Sequence, residues 1–191
     1  MSEINILTML PEHAGAVLQI YKEGLETGEA TFNTEVPTWE QWDSSHHQHS
    51  RFVALAGNIV AGWVALSPVS ARYCYRGVAE FSIYIAAAYR GMGIGDQLMQ
   101  KVIPESEANG IWTLHSSTFP ENRASIKLQK KHGFREIGYR EKIAELNGVW
   151  RNTVLLERRS MAVGATGVES NKNMIRKIIK ATITAILPFS R

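Results

Sequence analysis

Three glycines in five positions, Gly91, Gly93 and Gly95, stand between a run suited to a strand and a run suited to a helix. The first run, Val78 to Ile85, is rich in β-branched and aromatic residues. In the second, Ile94, Leu98, Val102, Ile103 and Ala108 recur at helical spacing and stop at Asn109-Gly110, a helix C-terminal signal. A strand that turns through glycines directly into a helix constrains a chain strongly. Glycine lets the backbone bend sharply and approach a ligand, and the unpaired N–H groups of the first helical turn point outward with the positive end of the dipole. The result is either a cradle for a pyrophosphate or a plain tight turn. A dinucleotide-binding fold is disfavoured, because the spacing is G-x-G-x-G rather than G-x-G-x-x-G and the strand comes late in the chain.

The rest of the chain supplies the surroundings. Residues 4 to 9 read as a strand, followed by a helix entered at Thr8 to Pro11 with apolar positions Ala14, Val17, Leu18 and Tyr21. A loop is expected from Gly24 to Pro37, then a helix capped at Thr38 and running to about Ser50. Phe52 to Ala56 and Ile59 to Ser67 form a hairpin around Gly57-Asn58. After the glycine cluster and its helix come a strand at Ile111 to Ser116, a helix at Ala124 to Lys131, and strands at Phe134 to Tyr139 and Val149 to Glu157. Strands alternating with helices in the second half predict an α/β chain of α+β type, with a mixed sheet and parallel neighbours around residues 80 and 113.

Composition fits one catalytic-size core: 191 residues, 45% hydrophobic and 20% charged. A chain of this length buries roughly 70% of its unfolded surface. Twenty-one Lys and Arg against 18 Asp and Glu give a formal charge of +3, compatible with an anionic cofactor and too small to argue for nucleic acid. The lone Cys74 cannot form an internal disulfide, reads as a small buried residue, and fits a reducing compartment. With neither a secretory leader nor a run of about 20 apolar residues, the expected location is cytoplasmic. Composition shifts after Ser160, so residues 1–160 are read as the catalytic domain and 161–191 as a linker with a basic amphipathic helix or tail. In that tail Met174, Ile175, Ile178, Ile179, Thr182, Ile183, Ile186 and Leu187 form a stripe flanked by Lys172, Arg176, Lys177 and Lys180. Packing on the domain or a partner ranks ahead of contact with an anionic membrane.

Arg90, Gly93 and Gly95 fill an Arg/Gln-x-x-Gly-x-Gly/Ala signature, and Asn122, Ser125 and Leu128 followed by Gly133-Phe134 fill an Asn-x-x-Ser-x-x-Leu…Gly-Phe element. On these residues the chain, over roughly residues 4 to 159, resembles the GNAT superfamily of acyl-CoA-dependent N-acyltransferases. Ala30-Thr31-Phe32, Pro37-Thr38, Ser67-Pro68, Arg72, Tyr75-Arg76, Glu80 to Ile85 and Trp150 are similar to the phosphinothricin N-acetyltransferase branch, which includes the methionine sulfone and arsinothricin acetyltransferases. The resemblance implies a mixed six- to seven-stranded sheet, acetyl-CoA as co-substrate without a metal, and a homodimer. It also implies direct acetylation of the α-amino group of a small anionic amino acid or analogue. Acetylation of a protein N-terminus or a polyamine, and a non-catalytic acyl-CoA-binding regulator, are the rival readings.

The same resemblance distributes roles. Ile83, Tyr84 and Ile85 would offer backbone groups to the pantetheine arm and one N–H to the thioester oxygen. Arg90, Gly91, Met92, Gly93, Ile94, Gly95 and Asp96 would hold the pyrophosphate. Asn122 would fix the cofactor arm or, more simply, cap the following helix. Glu80, sharing a strand face with Ser82 and Tyr84, is the candidate to take the amine's proton, against the reading of a solvated strand-end acid. Arg72 and Arg76 would bind the acceptor's anionic group through guanidinium forks, with Phe32, Tyr75 and Trp150 around the acceptor. Gln129 departs from the branch, which carries His or Tyr there; an amide is no general acid. His46-His47-Gln48-His49 is read as a solvated helix end rather than a metal site, having no Cys or carboxylate at ligand spacing.

Overall fold

The computed structural model describes residues 3–164. In chain order these form β1 (Ile4–Thr8), α1 (Ala14–Glu26), α2 (Trp39–Ser45), β2 (Phe52–Ala56), β3 (Ile59–Pro68), β4 (Val78–Ile85), α3 (Ile94–Ala108), β5 (Thr113–Thr118), α4 (Arg123–Lys131), β6 (Arg135–Leu146) and β7 (Val149–Arg159). The seven strands make one sheet in the order β1-β2-β3-β4-β5-β7-β6. Every pairing is antiparallel except β4 with β5, which are joined through α3 and run parallel. The expected parallel neighbours near residues 80 and 113 are therefore present.

Strand alternation divides the core in two. On one face Val64 and Leu66 of β3, Ala79 and Phe81 of β4, and Leu114 of β5 pack against Ile94, Leu98, Met99 and Val102 of α3. On the other face Trp63 and Ala65 meet Val17, Ile20 and Tyr21 of α1 and Trp42 of α2. Leu98, Met99 and Val102 are fully excluded from solvent, each stabilising the fold by about 1.5–3 kcal/mol through burial. Trp63 also donates its indole N–H to the carbonyl of Val17, tying β3 to α1.

Several sequence expectations need correction. α1 runs on to Glu26, past the expected loop start at Gly24, because this glycine admits the ring of Tyr84 rather than ending the helix. α2 stops at Ser45, where the Thr38–Gln41 capping box has opened it, and not at Ser50. His46, expected in solvent, stacks on Trp42 with ring centroids 4.0 Å apart, and His47 and His49 are half-buried. Burial holds all three imidazoles below their ordinary pKa. Cys74 is exposed, not buried, because Tyr73–Tyr75 form a short 3-10 turn on the surface. β6 extends to Leu146 rather than Tyr139, crossing an irregularity between Arg140 and Ala144.

At the C-terminal end of the described chain Arg159 donates to the carbonyls of Trp112, Ser160, Val163 and Gly164. The remainder of the expected linker and basic amphipathic segment lies outside the described residues. Among those described, no helix is long and apolar enough to cross a membrane.

The parallel pair begins at Gly77, whose carbonyl accepts from the amides of Trp112 and Thr113 at 2.7 and 3.1 Å. A Cβ there would overlap the Trp112 indole. Gly77→Ala is expected to cost about 1–3 kcal/mol in urea denaturation, the usual penalty for overpacking. An unchanged midpoint would show that Trp112 moves aside freely.

Candidate active site

β4 is bonded to β3 from Ala79 opposite Pro68 to Ile85 opposite Gly62. On its other edge it meets β5 over three pairs, Val78–Thr113, Ala79–Leu114 and Glu80–His115. There the ladder ends, although β4 continues to Ile85 and β5 to Thr118. The β4 edge from Phe81 to Ile85 thus has no strand upon it. Between the parted strands lies a cavity of about 220 Å³, walled by Glu80 to Tyr84, by Ser116 to Phe119, by Asn122, Ser125 and Gln129 beneath, and by Ala30 to Phe32 across the mouth.

Glu80 sits at the vertex where the strands part, and it is exposed. Ser82 and Tyr84 follow on its face of the strand. The Tyr84 ring is stacked on Trp63 at 4.8 Å and set edge-on to Tyr21 at 5.1 Å. Burial pushes its phenol well above the ordinary value, with Tyr21 and Glu80 adding to the effect, so the group stays a neutral hydroxyl. Ile83 and Ile85 pack toward the α3 side of the core, leaving their backbone on the open edge.

The glycine segment has the geometry of an anion cradle. Gly91 and Gly93 have φ of 78° and 76°, a region that disfavours any side chain, and a Cβ at either would meet nothing, so the space above them is open. Gly93 is the N-cap of α3 and no side chain caps that end. Among the described residues no protein acceptor takes the amides of Gly91, Met92, Gly93, Ile94, Gly95 or Asp96. An uncapped N-terminus with six free donors fits a diphosphate. The Asp96 carboxylate is turned away: it binds Lys131 Nζ and His132 Nε2, each at 2.7 Å, and these hold it below the ordinary carboxylate range. Arg90 donates its Nε–H to the carbonyl of Ile85 at 3.3 Å, which fixes its stem beside the cradle.

Asn122 does what the simpler expectation held. Its Oδ1 accepts from the Ser125 amide at 3.1 Å as the N-cap of α4, while its Nδ2 donates to the Glu29 carbonyl at 3.3 Å. Phe32 lines the cavity mouth and sets its edge against Phe119 at 4.8 Å. The remaining acceptor candidates are not brought to the cavity. Arg76 lies over Tyr73 and Trp112 at 4.2 and 5.1 Å, and Arg72 over Tyr75 at 5.3 Å. These stacks sit ahead of β4, at the end of the parallel pair opposite the opening. Trp150, with 59% exposure, stands near the turn of the β6–β7 hairpin and does not line this cavity. Among the described residues, no group of three His, Cys, Asp or Glu is placed to hold a metal.

Two features escaped the sequence reading. Arg151 of β7 donates to the Gly28 carbonyl at 3.1 Å, approaches Glu121 at 3.4 Å and lies over the Phe119 ring at 4.4 Å. It sets a cation against Phe119 and ties the segment after α1 to β7. The hydroxyls of Ser116, Thr118 and Ser125 converge on the fully buried Gln129. Their alternation along β5 and the i, i+4 spacing on α4 were visible signals, but the partnership needs β5 beside α4.

Comparison with known proteins agrees with this geometry. Residues 16–134 match the model of the Acetyltransferase (GNAT) family. YwnH of Bacillus subtilis, provisionally named a phosphinothricin acetyltransferase, is 38% identical over 148 residues, 73% of this chain and 90% of that protein. The L-methionine sulfoximine/L-methionine sulfone acetyltransferase of Pseudomonas aeruginosa is 23% identical over 74% of this chain and 86% of its own. The crystal structure of a GNAT superfamily phosphinothricin acetyltransferase from Sinorhizobium meliloti in complex with AcCoA superposes with a TM-score of 0.78. It covers 86% of this chain and 92% of that one at 23% identity.

The free amides around Gly93 generate a direct test. Gly93→Val forces a β-branched side chain into a left-handed position and into the open space of the cradle. Coenzyme A titrated calorimetrically into the folded variant should bind at least about tenfold more weakly, a difference of about 1.4 kcal/mol. Unchanged affinity would remove the diphosphate from this turn.

Proposed function

We propose that this chain, which belongs to the acetyltransferase (GNAT) family, transfers the acetyl group of acetyl-CoA to the amino group of a small anionic amino acid or analogue of the phosphinothricin, methionine sulfone or arsinothricin type. The observation that carries the reading is the parting of β4 from β5 immediately beyond Glu80. An acyl-CoA supplies an activated thioester at the end of a long polar arm. The unpaired β4 edge from Phe81 to Ile85 offers backbone groups along which such an arm can lie, and the amides from Gly91 to Asp96 fit its diphosphate.

At the other end of the cavity the chemistry requires loss of a proton. A peptide α-amino group has a pKa near 8 and that of a free amino acid, beside a carboxylate, is more basic still, so near neutral pH most of it is protonated and inert. Glu80, exposed at the vertex, is the carboxylate positioned to take that proton. Its displacement from the amide cradle by about ten residues of strand and turn keeps the anionic groups of the cofactor apart from the base. The cavity of about 220 Å³, lined in part by Ala30 to Phe32 and Phe119, suits a small molecule, and the substrates named for the relatives are amino-acid analogues. The location is proposed to be cytoplasmic. A homodimer is proposed as well: Ile137, Tyr139, Ile143, Val149 and Trp150 of the terminal hairpin are exposed and available for a second copy. Sedimentation should then give about twice the 21.3 kDa chain mass. A monomer at micromolar concentration would refute it.

Thiol release from acetyl-CoA, followed across phosphinothricin, methionine sulfone, methionine sulfoximine, a polyamine and an N-terminal peptide, tests the acceptor class. Turnover with the first three supports the reading; polyamine-only or peptide-only turnover replaces the acceptor, and binding without turnover replaces the activity. Glu80→Gln should lower kcat/KM by about 10²-fold or more and remove the pH dependence belonging to the base, with coenzyme A affinity nearly unchanged. Wild-type kinetics across pH would exclude Glu80 from the reaction.

A further inference from the structure

Gln129 of α4 is 1% exposed. Its amide is enclosed by three hydroxyls. Nε2 donates to Thr118 Oγ1 at 3.1 Å and to Ser125 Oγ at 3.0 Å, while Oε1 accepts from Ser116 Oγ. The orientation follows from counting. An amide nitrogen carries two protons and the oxygen none. Two hydroxyls lie at one end of the amide and one at the other. Reversing the amide would set its two N–H groups against the single hydroxyl of Ser116 and leave one buried proton unpaired, at a cost that the observed orientation avoids.

This orientation dictates which way the hydroxyl protons point. Ser116 spends its proton on Gln129. Thr118 and Ser125 receive a proton from Gln129, so their own protons must go elsewhere. Thr118 has Ser116 Oγ within 3.4 Å. Ser125 has no protein acceptor among the described residues; its backbone amide is already given to Asn122 Oδ1, and its side chain borders the cavity. The Ser125 hydroxyl is therefore a donor aimed at whatever occupies the cavity.

We propose that Ser125 is the hydrogen-bond donor to the departing thiolate, and that Gln129 is the positioning residue that keeps the Ser125 proton directed into the cavity. This rests on the acetyl-CoA reading above. As the amine nitrogen forms the C–N bond, the C–S bond breaks and its electron pair leaves on sulfur. Glu80 passes the ammonium's first proton to solvent before attack and takes the second as the C–N bond forms; Ser125 keeps its own proton and shares it with the sulfur, which takes a proton from solvent after release. A thiol with an ordinary pKa near 8.5 is a tolerable leaving group, so a donor that stabilises the thiolate can serve where the branch carries a titratable side chain.

The test reads the thiol itself as well as turnover. Coenzyme A bound to the full chain is titrated through the ultraviolet absorbance of its thiolate. The bound thiol should ionise about one pH unit lower in the wild type than in Ser125→Ala, the size expected of a hydrogen bond to a charged group. Ser125→Thr should restore the wild-type titration. Gln129→Leu should behave like Ser125→Ala although Ser125 is present, a result that a purely structural amide would not give. In steady state Ser125→Ala should lose about tenfold in kcat with little change in KM for acetyl-CoA. Equal thiol titration in the wild type and Ser125→Ala overturns the proposal while leaving the acyl-CoA reading intact. Failure of the wild-type chain to bind coenzyme A overturns both.

Discussion

Three residue pairs hold β4 to β5, and everything distinctive about the site follows from the ladder ending there. A sheet interior normally satisfies every backbone N–H and C=O, so an opening between two central strands needs each to be held from its far side. Here β3 grips β4 as far as Ile85, and β7 grips β5 as far as Thr118. The strands can part because neither relies on the other beyond Glu80. The exposed backbone that results is a ready surface for a ligand arm. The cavity is built by topology, with side chains added afterwards.

The two helical layers then set the ends of that opening. On the face of α1 and α2, Trp63, Tyr84, Tyr21 and Trp42 form a connected aromatic cluster, which fixes the wall carrying Glu80. Gly24 permits it by letting the Tyr84 ring lie directly against α1. On the opposite face Gly95 brings the start of α3 close to Leu128 of α4, and Asp96 is bridged to Lys131 and His132. The glycine turn and α4 are thus joined directly, and the negative charge of Asp96 is answered by Lys131 away from the free amides.

What was legible in the sequence was the part encoded locally. The glycine spacing, the β-branched run before it and the apolar period after it identified β4, the turn and α3 without knowledge of any partner. The hairpin from Phe52 and the parallel pair came from the same local signals. What escaped was whatever depends on contacts between distant segments. Arg72 and Arg76 looked suited to an anion, but Trp112 and Tyr73 claim Arg76 once β4 and β5 are side by side. Gln129 read only as a side chain unable to act as a general acid; its partnership with Ser116 and Thr118 needs β5 beside α4. Trp150 was placed at the acceptor by resemblance alone, whereas it is its neighbour Arg151 that lies against Phe119.

That contrast explains why the transferred group is more readable than its acceptor. The proposed diphosphate end of the site is made of backbone amides, and only the conformational demand at Gly91 and Gly93 leaves a mark in the sequence. The other end of the cavity, where the acceptor is proposed to sit, is lined by side chains of the segment after α1, of the end of β5 and of Asn122, with Arg151 of β7 behind Phe119. Arg151 joins three of these, since it holds the Gly28 carbonyl, faces Phe119 and pairs with Glu121. With its charge partly answered by Glu121 and its flat face against a ring, this guanidinium shapes the mouth more than it advertises a binding preference. On the proposed reading, substrate choice is a property of how these separated segments meet, and substitutions in any one of them are expected to alter it without touching Glu80.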